Sequence, residues 1–236
     1  THLASSAASD VYKRQIEQSP ASGIRPKVKA GKRDRVLSDA EIAAIWNALP
    51  GAALSDATRD IIRLLFLTGQ RSGEVCGMTR GEIDLDGAVW TIPGGRTKNE
   101  LTHNVPLSEA ALAIIADQIG SDMDDDAPLF SRIGVPIESN AISQAVRKRL
   151  QVTGKQWQPH DIRRTVATGM AEIGIQPHIV EASLNHISGF RAGVAGIYNR
   201  ALYDKDKRNA LDRWAVHLGD VVAGKTAKVV PLKAGA

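Results

Sequence analysis

Apolar positions along the chain follow two periods. From Leu37 onward they recur every three or four residues: Ile42, Ile45, Trp46 and Leu49, then Ile61, Ile62, Leu64, Leu65 and Leu67. That spacing lays one apolar stripe along each of two helices. Ser38, with Glu41 three residues on, is a capping box for the first helix, and Pro50-Gly51 ends it. The second runs from about residue 56 to Thr68-Gly69, and a short third follows Arg71. Between residues 82 and 107 the period shortens. Ile83, Leu85, Val89, Trp90 and Ile92 read as strands, Asp86-Gly87 and Gly94-Gly95 as turns, and Val105-Pro106-Leu107 as a third strand. Ser108 then caps a helix carrying Leu112, Ile115 and Ile119. Residues 120–138 read as a loop, and further helices are expected at 139–152, 160–173, 177–185, 193–199 and 204–218. The predicted fold is α+β and mainly helical, with one small three-stranded antiparallel sheet, too small to stand alone. One globular domain is expected over residues 36–218. A disordered tail and basic linker precede it over 1–35, and a flexible C-terminal tail follows over 219–236.

Composition adds constraints. Hydrophobic residues make up 43% of the 236 and aromatic ones 4%, so the core should be aliphatic. A single cysteine, Cys76, excludes a disulfide within the chain and favours a reducing, cytoplasmic setting. No apolar run approaches the roughly 20 residues that span a bilayer. Charge is uneven: residues 25–35 hold six basic residues against Asp34, while the whole chain is +4 and residues 1–24 are neutral. The remainder therefore carries about −1. Affinity for a polyanion would have to come from that arm and from a local cluster on one face.

Candidate chemistry concentrates late in the chain. His160 and Arg163 lie three apart, hence on one helix face, and pair a neutral-pH proton carrier with a fixed cationic fork. Leu184-Asn185-His186 and Ile197-Tyr198 follow. Earlier, Arg71 lies three residues before Glu74, which can hold its guanidinium, and Lys98 sits at a hairpin tip. Each has a bland alternative. Gly69 before Arg71 suits a plain helix-to-helix turn, hairpin lysines are usually solubilising, and His160 after Pro159 could serve the helix start. His103 and His178 read as structural or solvent-facing. Other chemistries lack their patterns: there is no HExxH, no calcium loop around Asp122–Asp126, no P-loop, no dinucleotide-binding glycine motif and no GxSxG elbow.

Taken in order, the blocks Leu67-Thr68-Gly69-Gln70-Arg71-Ser72-Gly73-Glu74, Thr97-Lys98-Asn99, Val105-Pro106-Leu107, His160-Asp161-Ile162-Arg163-Arg164-Thr165, Leu184-Asn185-His186 and Tyr198 resemble the catalytic domain of the tyrosine recombinases, the phage integrase family. The resemblance covers roughly residues 37–218. It implies a site-specific recombinase that cleaves and rejoins DNA through a 3′-phosphotyrosyl intermediate, without metal or ATP. Arg71 and Arg163 would clamp the scissile phosphate, Lys98 would protonate the leaving 5′ oxygen, and His160 would carry a proton. His186 would bond the phosphate, and Tyr198 would attack. Glu74 would support Arg71, and Lys27, Lys29, Lys32, Arg33, Arg96 and Arg164 are candidates for the DNA backbone.

The implied partners are double-stranded DNA attachment sites, a homotetramer on synapsed DNA (a monomer when free), and accessory DNA-bending or excision proteins. The implied place is the cytoplasm, at the nucleoid, with no membrane. The helix at 204–218 resembles the family's C-terminal segment that docks on a neighbouring subunit. The pattern departs from the family in three ways. The His186–Tyr198 interval is longer than usual and holds Gly189, Gly193 and Gly196, so Tyr203 stays a second candidate nucleophile. Asn185 stands where a glycine is commoner. The stretch before the domain is too short for the family's usual N-terminal DNA-binding domain, implying a fragment or a protein that works without that clamp. A topoisomerase of type IB with the same pocket, or a DNA-binding fragment with weak catalysis, are the alternatives.

Overall fold

The computed structural model describes residues 33–132, 134–186 and 203–225. Tyr198, Lys27, Lys29, Lys32 and the helix expected at 193–199 lie outside the described residues. Among those described are eight helices. Helix α1 (Asp39–Ala48) starts with the predicted capping box, Ser38 accepting from the Glu41 amide and Glu41 accepting from the Ser38 amide. Helix α2 (Asp56–Thr68) is capped by Ser55 and is the centre of the core. Ile61, Ile62, Leu64, Leu65, Phe66 and Leu67 are all buried, so it has almost no solvent face. It ends at Gly69, which is left-handed at φ 65°. The short α3 (Ser72–Cys76) follows.

Strands β1 (Ile83–Asp84), β2 (Val89–Ile92) and β3 (His103–Pro106) form the expected antiparallel sheet, in the order β1-β2-β3. Trp90 pairs with Val105 and Ile92 with His103. The two-residue period then turns all four side chains to the buried face. His103 is thus an inward residue of a strand, which settles its structural character.

Helices α4 (Glu109–Ala116), α5 (Ser139–Arg149), α6 (Pro159–Glu172), α7 (Pro177–Ser183) and α8 (Asp204–Val222) complete the domain. Two details differ from the sequence reading. Strands β4 (Ser131–Arg132) and β5 (Val135–Pro136) pair within the expected loop, each too short to show a period. Helix α8 runs to Val222, past the expected end at 218, and its apolar face is turned inward on its own domain. Ala210, Leu211, Trp214, Leu218 and Val221 are buried, and the Trp214 indole donates to the Phe66 carbonyl at 2.7 Å. A Cβ at Gly169 of α6 would sit 2.4 Å from the Trp214 ring, so only glycine permits this helix–helix approach. Within the described residues, then, α8 packs its apolar face into the core of its own chain.

Candidate active site

The site is built around one helix end. A helix leaves its last carbonyls without internal partners and gives that end a partial negative charge. At the end of α7 three successive carbonyls are satisfied from elsewhere in the chain. Ser183 O accepts from Gln70 Nε2 at 2.9 Å and lies 3.1 Å from His103 Nε2. Leu184 O accepts from Arg163 Nη2. Asn185 O accepts from Arg71 Nη2 at 3.5 Å. His186 follows directly and is exposed.

Arg163 comes from the first turns of α6. Pro159 opens that helix, and Asp161, fully buried, accepts from the Gln158 amide at 2.9 Å to complete a capping box. Arg163 is 7% exposed and its guanidinium also donates to Gly69 O at 2.9 Å, with further N–H groups of the fork beyond these two bonds. Burial, and then the neighbouring Arg71 cation, lower its pKa to about 10, so it stays cationic at neutral pH. Arg71 is the N-cap residue of α3. Its side chain pairs with Glu74 at 2.7 Å while the other Glu74 oxygen accepts from the Arg71 amide at 2.9 Å. Two guanidiniums therefore converge on one helix end, each with a fixed orientation.

Gly69 makes this closeness possible. Its φ of 65° favours glycine, and a Cβ there would lie 2.6 Å from Leu184 Cδ2 and 2.9 Å from Val166 Cγ1. The helix-to-helix turn and the approach of the two arginines to the end of α7 are thus parts of one local structure.

His160 is exposed on the first turn of α6. Partial burial, then the Arg164 and Arg163 cations, hold its imidazole below the usual histidine range, so it is neutral at pH 7 and able to accept a proton. His103 behaves differently: burial, then Lys207, push it down to about 3, and it serves as a neutral hydrogen-bonding core residue. Cys76 is likewise inert, its thiol pushed up to about 12 by burial.

Lys98 is exposed in the turn between β2 and β3, as expected. Asn99 beside it exchanges hydrogen bonds with Asn185: Nδ2 of Asn99 donates to Oδ1 of Asn185 at 2.6 Å, and the reverse bond is 3.2 Å. The hairpin is thereby tied to the same helix end as the two arginines. Asn185 has φ 49°. Asparagine tolerates that left-handed conformation better than other residues with a side chain, which explains how it can stand where glycine is commoner.

Arg96, expected at the DNA backbone, is partly exposed and also bonded within the chain. Its Nη2 donates to Glu74 O at 2.6 Å and its Nη1 lies 3.2 Å from Glu82, whose other oxygen accepts from the Trp90 indole. It braces the hairpin against α3. Arg164 pairs with Asp161 at 3.3 Å and is partly exposed. The Tyr203 ring packs on His178, with centroids 5.4 Å apart. Among the described residues no three His, Cys, Asp or Glu side chains gather as a metal site, and no helix is long and apolar enough to cross a membrane. Sequence reasoning passed over Gln70 and Asn99; the asparagines at 99 and 185 carried a faint signal, as residues suited to turns and helix ends.

The fold thus sets two arginines on one helix end, with a lysine-bearing hairpin beside it. The model of the phage integrase family matches residues 35–203, and the chain belongs to that family. The prophage integrase IntZ of Escherichia coli K12 is 28% identical over 92% of this chain and 53% of its own length. The tyrosine recombinase XerC of Xylella fastidiosa 9a5c is 27% identical, over 75% and 60%. The chain spans about half the length of the curated relatives it matches. Among solved structures, the integrase of mycobacterium phage Brujita superimposes with a TM-score of 0.59 at 17% identity, covering 84% of this chain and 63% of that one. A lambda integrase dimer bound to a core site gives 0.54 at 19%, over 78% and 68%.

Proposed function

We propose that this chain is the catalytic part of a site-specific DNA recombinase that cuts and rejoins strands through a tyrosine. Arg71 and Arg163 hold the non-bridging oxygens of one phosphodiester, with Glu74 orienting Arg71. His186 donates to the same phosphate, Lys98 gives a proton to the departing 5′ oxygen, and His160 takes the proton of the phenol. Tyr198 attacks the phosphorus. The bond energy then stays in a phosphotyrosine, which a second strand's 5′ hydroxyl can resolve. Charge grows on the phosphate in the transition state, and pre-set donors stabilise it by on the order of 3 kcal/mol each. The observation that carries this reading is the pair of arginines fixed on successive carbonyls, Leu184 and Asn185, immediately before His186. The engagement of Tyr203 with His178 favours Tyr198 as nucleophile. DNA attachment sites are the proposed substrate, a tetramer on paired sites the working assembly, and the nucleoid the place of action, with DNA-bending or excision proteins as helpers.

The test works without a defined target sequence. The chain is mixed with a pool of nicked duplexes of randomised sequence, protein is recovered under denaturing conditions, and the DNA still attached is sequenced. Covalent capture of a restricted sequence set, unaffected by EDTA, is expected. Capture without sequence preference, together with relaxation of any supercoiled plasmid, indicates a topoisomerase; reversible binding without capture contradicts the catalytic reading.

A further inference from the structure

Lys98 must reach a phosphate from a turn, yet nothing about an exposed lysine fixes where it points. Its neighbours supply that constraint. Thr97 is 7% exposed, and its hydroxyl lies 3.0 Å from Gly94 O and 2.9 Å from Leu101 O. Asn99 forms the reciprocal amide pair with Asn185, and its Oδ1 also accepts from the Leu101 amide at 3.4 Å. Both flanking side chains are therefore turned into the protein while Lys98 faces out. Asn185, 5% exposed, meets the hairpin with its side chain and Arg71 with its carbonyl. One residue thus connects the phosphate-facing arginine to the lysine turn.

We propose that the Asn99–Asn185 amide pair is a positioning device that sets Lys98 in register with the phosphate clamp. This rests on the catalytic reading above. In the step concerned, the phenolic oxygen bonds to phosphorus, the P–O5′ bond breaks, the Lys98 ammonium passes its proton to O5′, and the phenol's proton leaves to His160. A pair that positions Lys98 should matter only where O5′ needs that proton. A duplex with sulfur in place of the bridging O5′ removes the need, because a thiolate is a far better leaving group than an alkoxide.

Asn185→Gly keeps the left-handed backbone and the carbonyl, so it removes the amide without threatening the fold. Asn99→Ala removes the other half. Two measurements are made, on captured duplexes and on the free chain. With the oxygen substrate each variant should form the covalent complex about tenfold more slowly, and the double variant no more slowly than either single one. With the sulfur-bridged substrate all three should return to the wild-type rate, as should Lys98→Ala, which loses more with oxygen. In the free chain, hydrogen exchange at residues 98–102 should quicken in all three asparagine variants. A loss that persists with sulfur, additive losses, or unchanged exchange each overturn the proposal. If the wild-type chain forms no adduct on either substrate, the catalytic reading itself fails and the assignment to Lys98 falls with it, even where exchange shows the tie.

Discussion

Arg163 and Lys98 carry the same charge within one site, and the protein treats them in opposite ways. Arg163 is almost wholly buried, with its guanidinium on the carbonyls of Gly69 and Leu184. Lys98 is exposed, and what is fixed is its neighbours. The difference matches the two chemical demands of the roles proposed above. A phosphate clamp works through geometry, and a planar fork held by backbone acceptors keeps that geometry with little reorganisation. A proton donor must also approach and leave, and a compact ammonium on a flexible stem, aimed by a tethered turn, can do so. The cost of the buried clamp is structural: its removal leaves acceptors unsatisfied, whereas removal of the lysine does not.

The sharpest way to break this contrast is Arg163→Lys. The charge survives, but a single ammonium does not span Gly69 O and Leu184 O as the fork does. Covalent complex formation should fall at least about a hundredfold, and chemical denaturation should show a loss of about 1–3 kcal/mol for the acceptor left bare. Arg71→Lys should cost activity comparably and stability less, since Arg71 is more exposed and its carbonyl contact is 3.5 Å long. Equal stability losses at the two positions would refute the contrast. Gly69→Ala comes next: left-handed strain and overlap with Leu184 and Val166 should together destabilise by about 2–4 kcal/mol, measured by urea unfolding. A stability loss under about 1 kcal/mol would show that the turn yields easily, contrary to the close packing described.

A further effect concerns acid and leaves the site itself untouched. The folded-state pKa of His103 is depressed to about 3, so below its unfolded value the unfolded chain takes up a proton that the folded chain refuses. Stability should therefore fall as pH drops from about 6.5 towards 3, by up to about 1.4 kcal/mol per pH unit from this group. His103→Gln, which cannot titrate, should flatten the slope relative to wild type in denaturation series run across that window. Parallel slopes would mean that His103 is not held neutral by the core.

Much of this was legible in the chain. Helix stripes, the capping box at Ser38 and the strand period are local signals, and they located the sheet, α2 and α6. The blocks around Arg71, Lys98, His160 and Arg163 were also local, so their elements were right. What sequence could not supply was the meeting point. The carbonyl of Leu184 lies 21 residues from Arg163, and that of Asn185 114 residues from Arg71. Periodicity carries no information across such separations. The same limit holds for Arg96, whose contacts with Glu82 and the Glu74 carbonyl no local pattern announces. Helix α8 was found, but its stripe does not say which surface it covers; Gly169 and Trp214 together show that its apolar face lies on α6.

Two carbonyl-held arginines, Arg71 and Arg163, serve in this account a covalent step carried out by Tyr198. That step is tested most directly by proteolysis of the captured protein–DNA complex and mass spectrometry of the peptide that carries the nucleotide. The expected result is a phosphodiester-linked adduct on Tyr198, absent in Tyr198→Phe and retained in Tyr203→Phe. An adduct on Tyr203, or captured DNA that survives Tyr198→Phe, would contradict it.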